Sequence, residues 1–384
     1  MASFNLETAR EKYRGFIDST RRGACEFSLT INAEYTPFAR CFAIFGYHLL
    51  GCELDDCSDS MASSIVYALR LYREQKIDCG CHLEIDKPYL QLLTFSLSAL
   101  SIIDKLDEYS LEDHVIPIVS KDIKCDIDRS GALIGKARSG NQAMFIGILL
   151  LYARDNLGMN TQQAIDRWVE LHLDSINTFG FWGNTKSMSH LQFQNGFHQY
   201  ELLEYLHADA VPWRRAADSV ASLGDGDGHF APYPGGGGCY DYDAVFLLTT
   251  TAANVKRHKD LLCLTAKTLL AEQNADGGFC ESKYVRPRSL GNILKSLNHV
   301  LAGRDRARTE RLRQMVTLLR PQHDRIHTHW SIYSRGWGES DLWDSWFRML
   351  TIARIDVAFN PEHAVNWGFI DFPGIGYHPS LHKQ

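Results

Sequence analysis

The sequence lacks any apolar run long enough to cross a bilayer. A span needs ~18 or more uncharged apolar residues, and the most apolar segments, around Phe42–Leu50 and Phe145–Tyr152, have the length of buried helices. The opening MASFNLETAREKYRGF is charged and has no apolar core of the secretory kind. A basic excess is missing too: 40 Lys and Arg against 46 Asp and Glu leave a net charge of −6, which argues against a nucleic-acid partner. Ten cysteines, scattered from Cys25 to Cys280, follow no compact spacing. They read as reduced thiols, with a cytoplasmic location as the expectation. No Walker loop, dinucleotide-binding glycine fingerprint or Gly-x-Ser-x-Gly elbow occurs. What remains is an ordinary globular composition, 45% apolar and 22% charged over 384 residues.

The chain repeats with a period of about 50 residues: an amphipathic helix, a loop rich in Gly, Asp and aromatics, then a more apolar helix. The apolar helices are expected from Phe38, Tyr89, Asn141, Gly196, Tyr240, Leu290 and Leu342. Amphipathic partners include Ile65–Arg73, Ala164–Asn177, Arg214–Leu223, Leu261–Gln273 and Arg311–Leu319. One pair cannot bury its apolar face alone, so neighbouring pairs must stack. Helices apolar nearly all round belong inside, and those with one charged face outside. No βαβ spacing or linker competes. The expectation is therefore an all-α chain, one domain over 1–384, forming a single α/α toroid of six to seven helix pairs. In such a ring the inner helices aim their N-termini at one mouth, and unpaired N–H groups there suit an anion or developing charge.

Candidate site residues follow from that placement. Asp241 and Asp243 open one inner helix, in GGGGCYDYDAVFLL. At i, i+2 they do not share a helix face, so Asp241 is either an N-cap or a partner that orients Asp243. The last repeat carries the densest polar–aromatic run: Trp330, Arg335, Trp337, Glu339, Asp341, Trp343 and Asp344. Indoles there could wall a cavity for a cation or a sugar ring, and Arg335 could clamp a phosphate or carboxylate or pair with Glu339. His198, with Tyr200, lies near another inner-helix start and could act as acid or base. Asn141 and Arg138 in the third repeat, and Lys87 in the second, occupy equivalent places. Cys79-Gly80-Cys81-His82 and the trio His323, His327 and His329 fall short of a structural zinc pattern.

The loop Gln273–Phe279, QNADGGF, resembles the glutamine-to-aromatic repeat of squalene–hopene cyclases and of protein prenyltransferase β-subunits, and Asp225–Phe230 occupies the same place one repeat earlier. The resemblance implies the α/α toroid of that superfamily. Asp241-Tyr242-Asp243-Ala244 resembles the acidic motif of class II terpene cyclases without its last Asp and Thr, which would make Asp243 the proton donor to an alkene. Cys239-Tyr240 resembles part of the prenyltransferase zinc motif, but Gly237 and Asp344 stand where Asp and His would be, so zinc is not expected.

Three functions follow as expectations. The first is an enzyme on an isoprenoid or similar apolar chain, cyclising or rearranging it after protonation by Asp243. Asp241 would orient that acid, Tyr240, Trp330, Trp337 and Trp343 would line the cavity, and Arg335, Arg138 or Lys87 would meet a diphosphate. It needs no cofactor beyond Mg2+ if the substrate is a diphosphate. The second is a carbohydrate-active α/α-toroid hydrolase, lyase or epimerase, pairing Asp243 with Glu339, Asp341 or Asp344, or using His198, Tyr200 and Arg335 on a uronate. The third is a non-catalytic binding subunit. The partner is a small molecule in the first two, with a homodimer or partner subunit also open.

Overall fold

The computed structural model describes residues 6–54, 57–136 and 139–379. In chain order the helices run α1 (Leu6–Ser19), α2 (Pro37–Leu49), α3 (Ser58–Asp78), α4 (Lys87–Ile102), α5 (Glu112–Val119), α6 (Ile123–Ser130), α7 (Gly140–Asp155) and α8 (Gln162–Asp174). They continue with α9 (His190–Tyr205), α10 (Trp213–Ala221), α11 (Gly238–Thr249), α12 (Ala252–Arg257), α13 (Lys259–Glu272), α14 (Leu290–Ala302), α15 (Asp305–Leu318) and α16 (Leu342–Phe359). A hairpin of β1 (Arg325–Thr328) and β2 (Ser331–Gly336) precedes α16.

These helices pack as two compact units. One takes the described residues of Met1–Gly51 with Thr185–Phe193 and Pro212–Gly368; the other takes those of Cys52–Asn184, Gln194–Val211 and Phe369–Gln384. In the first unit α16 lies against α2, α11 and α13. Every residue of α16 from Leu342 to Val357 is buried, and α2 buries all but Pro37 and His48. A helix so apolar needs protein on all sides, which these neighbours supply. Both helices start at a capping side chain. Thr36 accepts from the Ala39 amide (3.1 Å) and Asp341 from the Asp344 amide (2.9 Å). In the second unit α7 is the corresponding core helix, buried from Ala143 to Ala153 and packed by α4, α5 and α8.

The expected outer helices match the pattern: α8 buries Ile165, Trp168 and His172, and α10 buries Ala216, Ala217 and Val220. The helix expected inside from Leu290 does not. In α14 only His299 is buried, and Leu290, Leu294 and Leu297 are exposed. The polar–aromatic run starts within an antiparallel hairpin, which pairs Arg325 with Gly336 and Ile326 with Arg335.

One loop geometry recurs. The amides of Asn177, Asp225 and Asn274 each donate to the carbonyl four residues on, at 2.7, 2.9 and 2.9 Å. The fourth residue of each loop is a glycine with positive φ: Gly180 at 82°, Gly228 at 82° and Gly277 at 91°. Only glycine adopts that conformation without strain. Each loop is then tied to a helix: Thr265 Oγ1 of α13 donates to the Gly228 carbonyl (2.8 Å), and Ser345 Oγ of α16 accepts from the Phe279 amide (2.7 Å). In the second unit the Trp182 indole donates to the His172 carbonyl at the end of α8 (2.8 Å).

Candidate active site

In the first unit the starts of α11 and α16 meet the Asp225 and Asn274 loops around two buried arginines. Arg348, inside α16, points Nη1 at Asp241 Oδ2 (3.3 Å) and Glu272 Oε2 (3.4 Å). Its Nη2 donates to the carbonyls of Gly235 (3.0 Å), Cys280 (3.4 Å) and Glu281 (3.3 Å). His229 bridges the same two carboxylates, with Nδ1 2.7 Å from Asp241 and Nε2 3.2 Å from Glu272. Burial disfavours a charged imidazole, but the two carboxylates outweigh it and push His229 up to about 10. Asp241 Oδ1 also accepts from the Phe230 amide (3.0 Å). Asp241 is therefore not the N-cap of α11, which falls at Gly237. It is the buried post to which the Asp225 loop is fastened.

The second arginine, Arg335 on β2, gathers three carboxylates. Nη2 donates to Glu281 Oε2 (3.0 Å) and Asp344 Oδ2 (3.1 Å), and Nε lies 2.5 Å from Asp341 Oδ2. Burial opposes the charge of Arg335, yet these neighbours hold its pKa above the ordinary value. Asp344 Oδ1 accepts from the Gly238 amide at the start of α11 (3.1 Å), joining the two helix ends. Arg335 does not pair with Glu339. That carboxylate instead accepts from Asn32 Nδ2 (3.0 Å), Tyr333 Oη (3.1 Å) and the Gly336 amide (2.9 Å).

Glu281 differs from the other acids. The side chains of Arg335, Asp341 and Asp344 are 2% exposed or less, whereas that of Glu281 is 17% exposed. Burial pushes its carboxyl up and the Asp344 charge pushes it further; Arg335 and a hydrogen bond from Tyr233 pull it down, leaving it at about 7. Its backbone carbonyl accepts from the Gly237 amide (2.9 Å), which sets the side chain beside the first turn of α11. Cys239 and Tyr240 on that turn are also partly exposed. Asp243, one turn on, is buried and raises the Cys239 thiol pKa together with burial. Sequence reasoning missed Glu281, Arg348, Glu272 and His229. The available signals were an acid two residues after the DGGF loop and an arginine in the middle of a helix rich in apolar residues.

Two aromatic groups flank this constellation. Tyr233 packs edge-on to Tyr240 (6.4 Å between centroids) and to Trp337 (5.5 Å). The Trp337 indole donates to the His323 carbonyl (2.8 Å), so it is fixed in a small core rather than facing a cavity. Trp330 and Trp343 pack with their rings tilted at 37° and centroids 4.3 Å apart, and both meet Phe42 of α2 (5.7 and 5.0 Å).

The remaining candidates belong to the second unit. His198 is buried, 3.7 Å from Glu201, and burial and nearby Lys87 push it down to about 3, so it is a neutral imidazole. Tyr200 donates to the Gly180 carbonyl and packs on Phe181 and Trp182 (5.8 and 5.3 Å), which makes it an anchor of the Asn177 loop. Asn141 accepts from Lys87 Nζ (3.2 Å). Arg138 lies outside the described residues. Among the described residues no group of three His, Cys, Asp or Glu is placed to hold a metal, and no helix is long and apolar enough to cross a membrane.

No protein family and no curated protein matches the chain. Solved structures do. A glycosidase variant in complex with glucose superposes with a TM-score of 0.51 at 12% identity, over 91% of this chain and 96% of that one. A second glycosidase variant superposes with a TM-score of 0.52 at 13% identity over the same shares. The fold is thus all-α, of the α/α-toroid class, and glycosidases share it. This corrects the isoprenoid and terpenoid-cyclase expectation, since the structural neighbours are glycosidases. Asp241, expected as an N-cap or as the group that orients Asp243, bonds to His229, Arg348 and the Phe230 amide.

Proposed function

We propose that the chain is a carbohydrate-active hydrolase in which Glu281 donates the proton to a glycosidic oxygen. The observation that carries this reading is a carboxyl raised by burial and the Asp344 charge to about 7 yet still partly exposed, at the edge of an otherwise sealed ionic cluster. A general acid works best when its pKa lies near the operating pH, and a raised carboxyl beside an ionised one is the arrangement glycoside hydrolysis needs. Arg335 and Tyr233 fix the two oxygens of Glu281 and so orient it. Asp243 is assigned as the second carboxylate, accepting a proton from the water that attacks the anomeric carbon. As the C–O bond breaks, the Glu281 proton passes to the leaving oxygen. Tyr240, partly exposed on the first turn of α11, offers its ring face to the sugar. The glycosidase neighbours support the reading at the level of fold.

The test is Glu281→Gln against a panel of glycosides. With alkyl or sugar leaving groups, which need the proton, turnover should fall ~10²–10⁴-fold. With dinitrophenyl glycosides, which leave unaided, it should fall little, and the alkaline limb of the pH profile near 7 should vanish. Asp243→Asn should lose both substrates. Unchanged turnover of alkyl glycosides by Glu281→Gln would reject the assignment.

A further inference from the structure

We propose that α14 and α15 form a docking groove for an acidic amphipathic helix of a partner protein. The apolar side chains of α14 recur with helical spacing along one face, and they face solvent: Leu290 is 74% exposed, Ile293 49%, Leu294 54% and Leu297 53%. Across from them on α15, Leu312 and Val316 are 53% and 52% exposed. Large aliphatics concentrated like this mark an interaction surface. The two helices leave a cleft of about 260 Å³ between them, lined by Ile293 and Leu297 of α14 and by Leu312 and Val316 of α15. A cleft receives protruding side chains, as in helix-in-groove recognition, whereas a lipid surface is flat.

The charge around the cleft selects the occupant. From Lys283 to Arg325 the sequence carries eleven Lys and Arg against three Asp and Glu, in a chain whose net charge is −6. Arg286 and Arg288 line the cleft and share one carboxylate, Asp324, while Arg313 on α15 and Arg304 and Arg320 at its two ends are exposed and meet no carboxylate among the described residues. A second copy docking by the same face would set these arginines against one another. A helix with a leucine stripe flanked by Glu or Asp satisfies both features. Since α14 and α15 have 13 and 14 residues, a segment of ~20 Å, three to four turns, would cover them.

The test uses the whole chain and three probes. The first is a labelled synthetic helix with leucines at i, i+3, i+4 and i+7 and glutamates beside them. The second is its lysine-flanked twin, and the third is vesicles of anionic phospholipid. Fluorescence anisotropy should show the glutamate helix binding at least about tenfold tighter than the twin. Leu297→Asp, at an exposed position, should weaken it about tenfold or more. Arg313→Glu should shift preference toward the lysine twin while circular dichroism stays unchanged. The proposal is overturned if neither helix binds, if both bind equally, if vesicles bind and the glutamate helix does not, or if sedimentation shows a dimer that Leu297→Asp dissociates.

Discussion

Replacing Arg348 by methionine tests whether the ionic cluster holds the first unit together. Methionine keeps most of the stem volume and removes only the guanidinium. Arg348 is 1% exposed. Without it, Asp241 and Glu272 share a single cation, His229, and three carbonyls, those of Gly235, Cys280 and Glu281, lose a donor. Removing one partner from a buried ion pair costs ~3–5 kcal/mol, because the other charge stays behind in a poorly solvating interior. Against a total stability of ~5–15 kcal/mol that is a large fraction. The reasoning also fixes the interaction between variants. Glu272→Gln alone removes a partner of both Arg348 and His229 and should destabilise. In the Arg348→Met background it removes the surplus charge, so its cost should shrink by ~1 kcal/mol or more, a coupling typical of residues in one network. Urea unfolding followed by far-UV circular dichroism, with the slope checked for constancy, measures all four species. A loss below ~1 kcal/mol for Arg348→Met, or strict additivity with Glu272→Gln, would refute the assignment of Arg348 as the compensating cation.

Other outcomes follow from the same contacts. The His229 pKa is raised from 6.5 to about 10 in the folded chain; its contribution is therefore complete below about 6.5 and lost as pH rises through about 10, so stability should decline across that window and His229→Gln should flatten the decline. Gly277 sits at φ 91° with the Lys12 carbonyl where a Cβ would go, so Gly277→Ala should cost more than the ~1–2 kcal/mol of the left-handed backbone alone, while Gly226→Ala, with open space around it, should leave the urea midpoint nearly unchanged. Tyr200→Phe leaves the Gly180 carbonyl without its donor and should lower stability by ~1–2 kcal/mol; a glycosidase assay on the same variant should show kcat retained.

How much of this was legible depends on whether the signal is local. Helix starts were local. Five of the apolar helices begin at Pro37, Lys87, Gly140, Gly238 and Leu342, within two residues of the positions read from hydropathy, and α14 begins at Leu290 as read; α9 instead begins at His190, six residues before the expected Gly196, so His198 lies two turns inside that helix and not near its start. The Asp225 and Asn274 loops were legible as recurring loops because a glycine at positive φ leaves a Gly signature. The burial of Asp241, Asp243 and Asp344 at or near helix starts also followed from placement. Their partners did not. Arg348 meets Asp241 across 107 residues, and Arg335 meets Glu281 across 54, and no periodicity encodes such pairs. Arg335 read from sequence as a cation available to a ligand; in the fold its charge is already taken by Glu281, Asp341 and Asp344. Glu281 went unread because its distinction lies in residual exposure next to Asp344, a property of the assembled site.

The misplacement of α14 shows where hydropathy stops as evidence. The spacing of Leu290, Ile293, Leu294 and Leu297 is the same whether the stripe is covered by this chain or by another, since burial stabilises by area removed from water and not by the identity of the cover. In α16 the stripe is completed by α2, α11 and α13, and every residue to Val357 is buried. In α14 the equivalent pattern ends in solvent, beside an α15 rich in arginine. What separates the two helices in sequence is therefore charge. The buried α16 carries arginines whose partners lie within the fold, as with Arg348, whereas Arg313 on α15 and Arg304 and Arg320 just beyond its ends meet no carboxylate among the described residues. An apolar helix flanked by cations that the rest of the fold leaves unmatched is the pattern of an interface, and counting cations against the carboxylates able to reach them is the step that hydropathy alone omits.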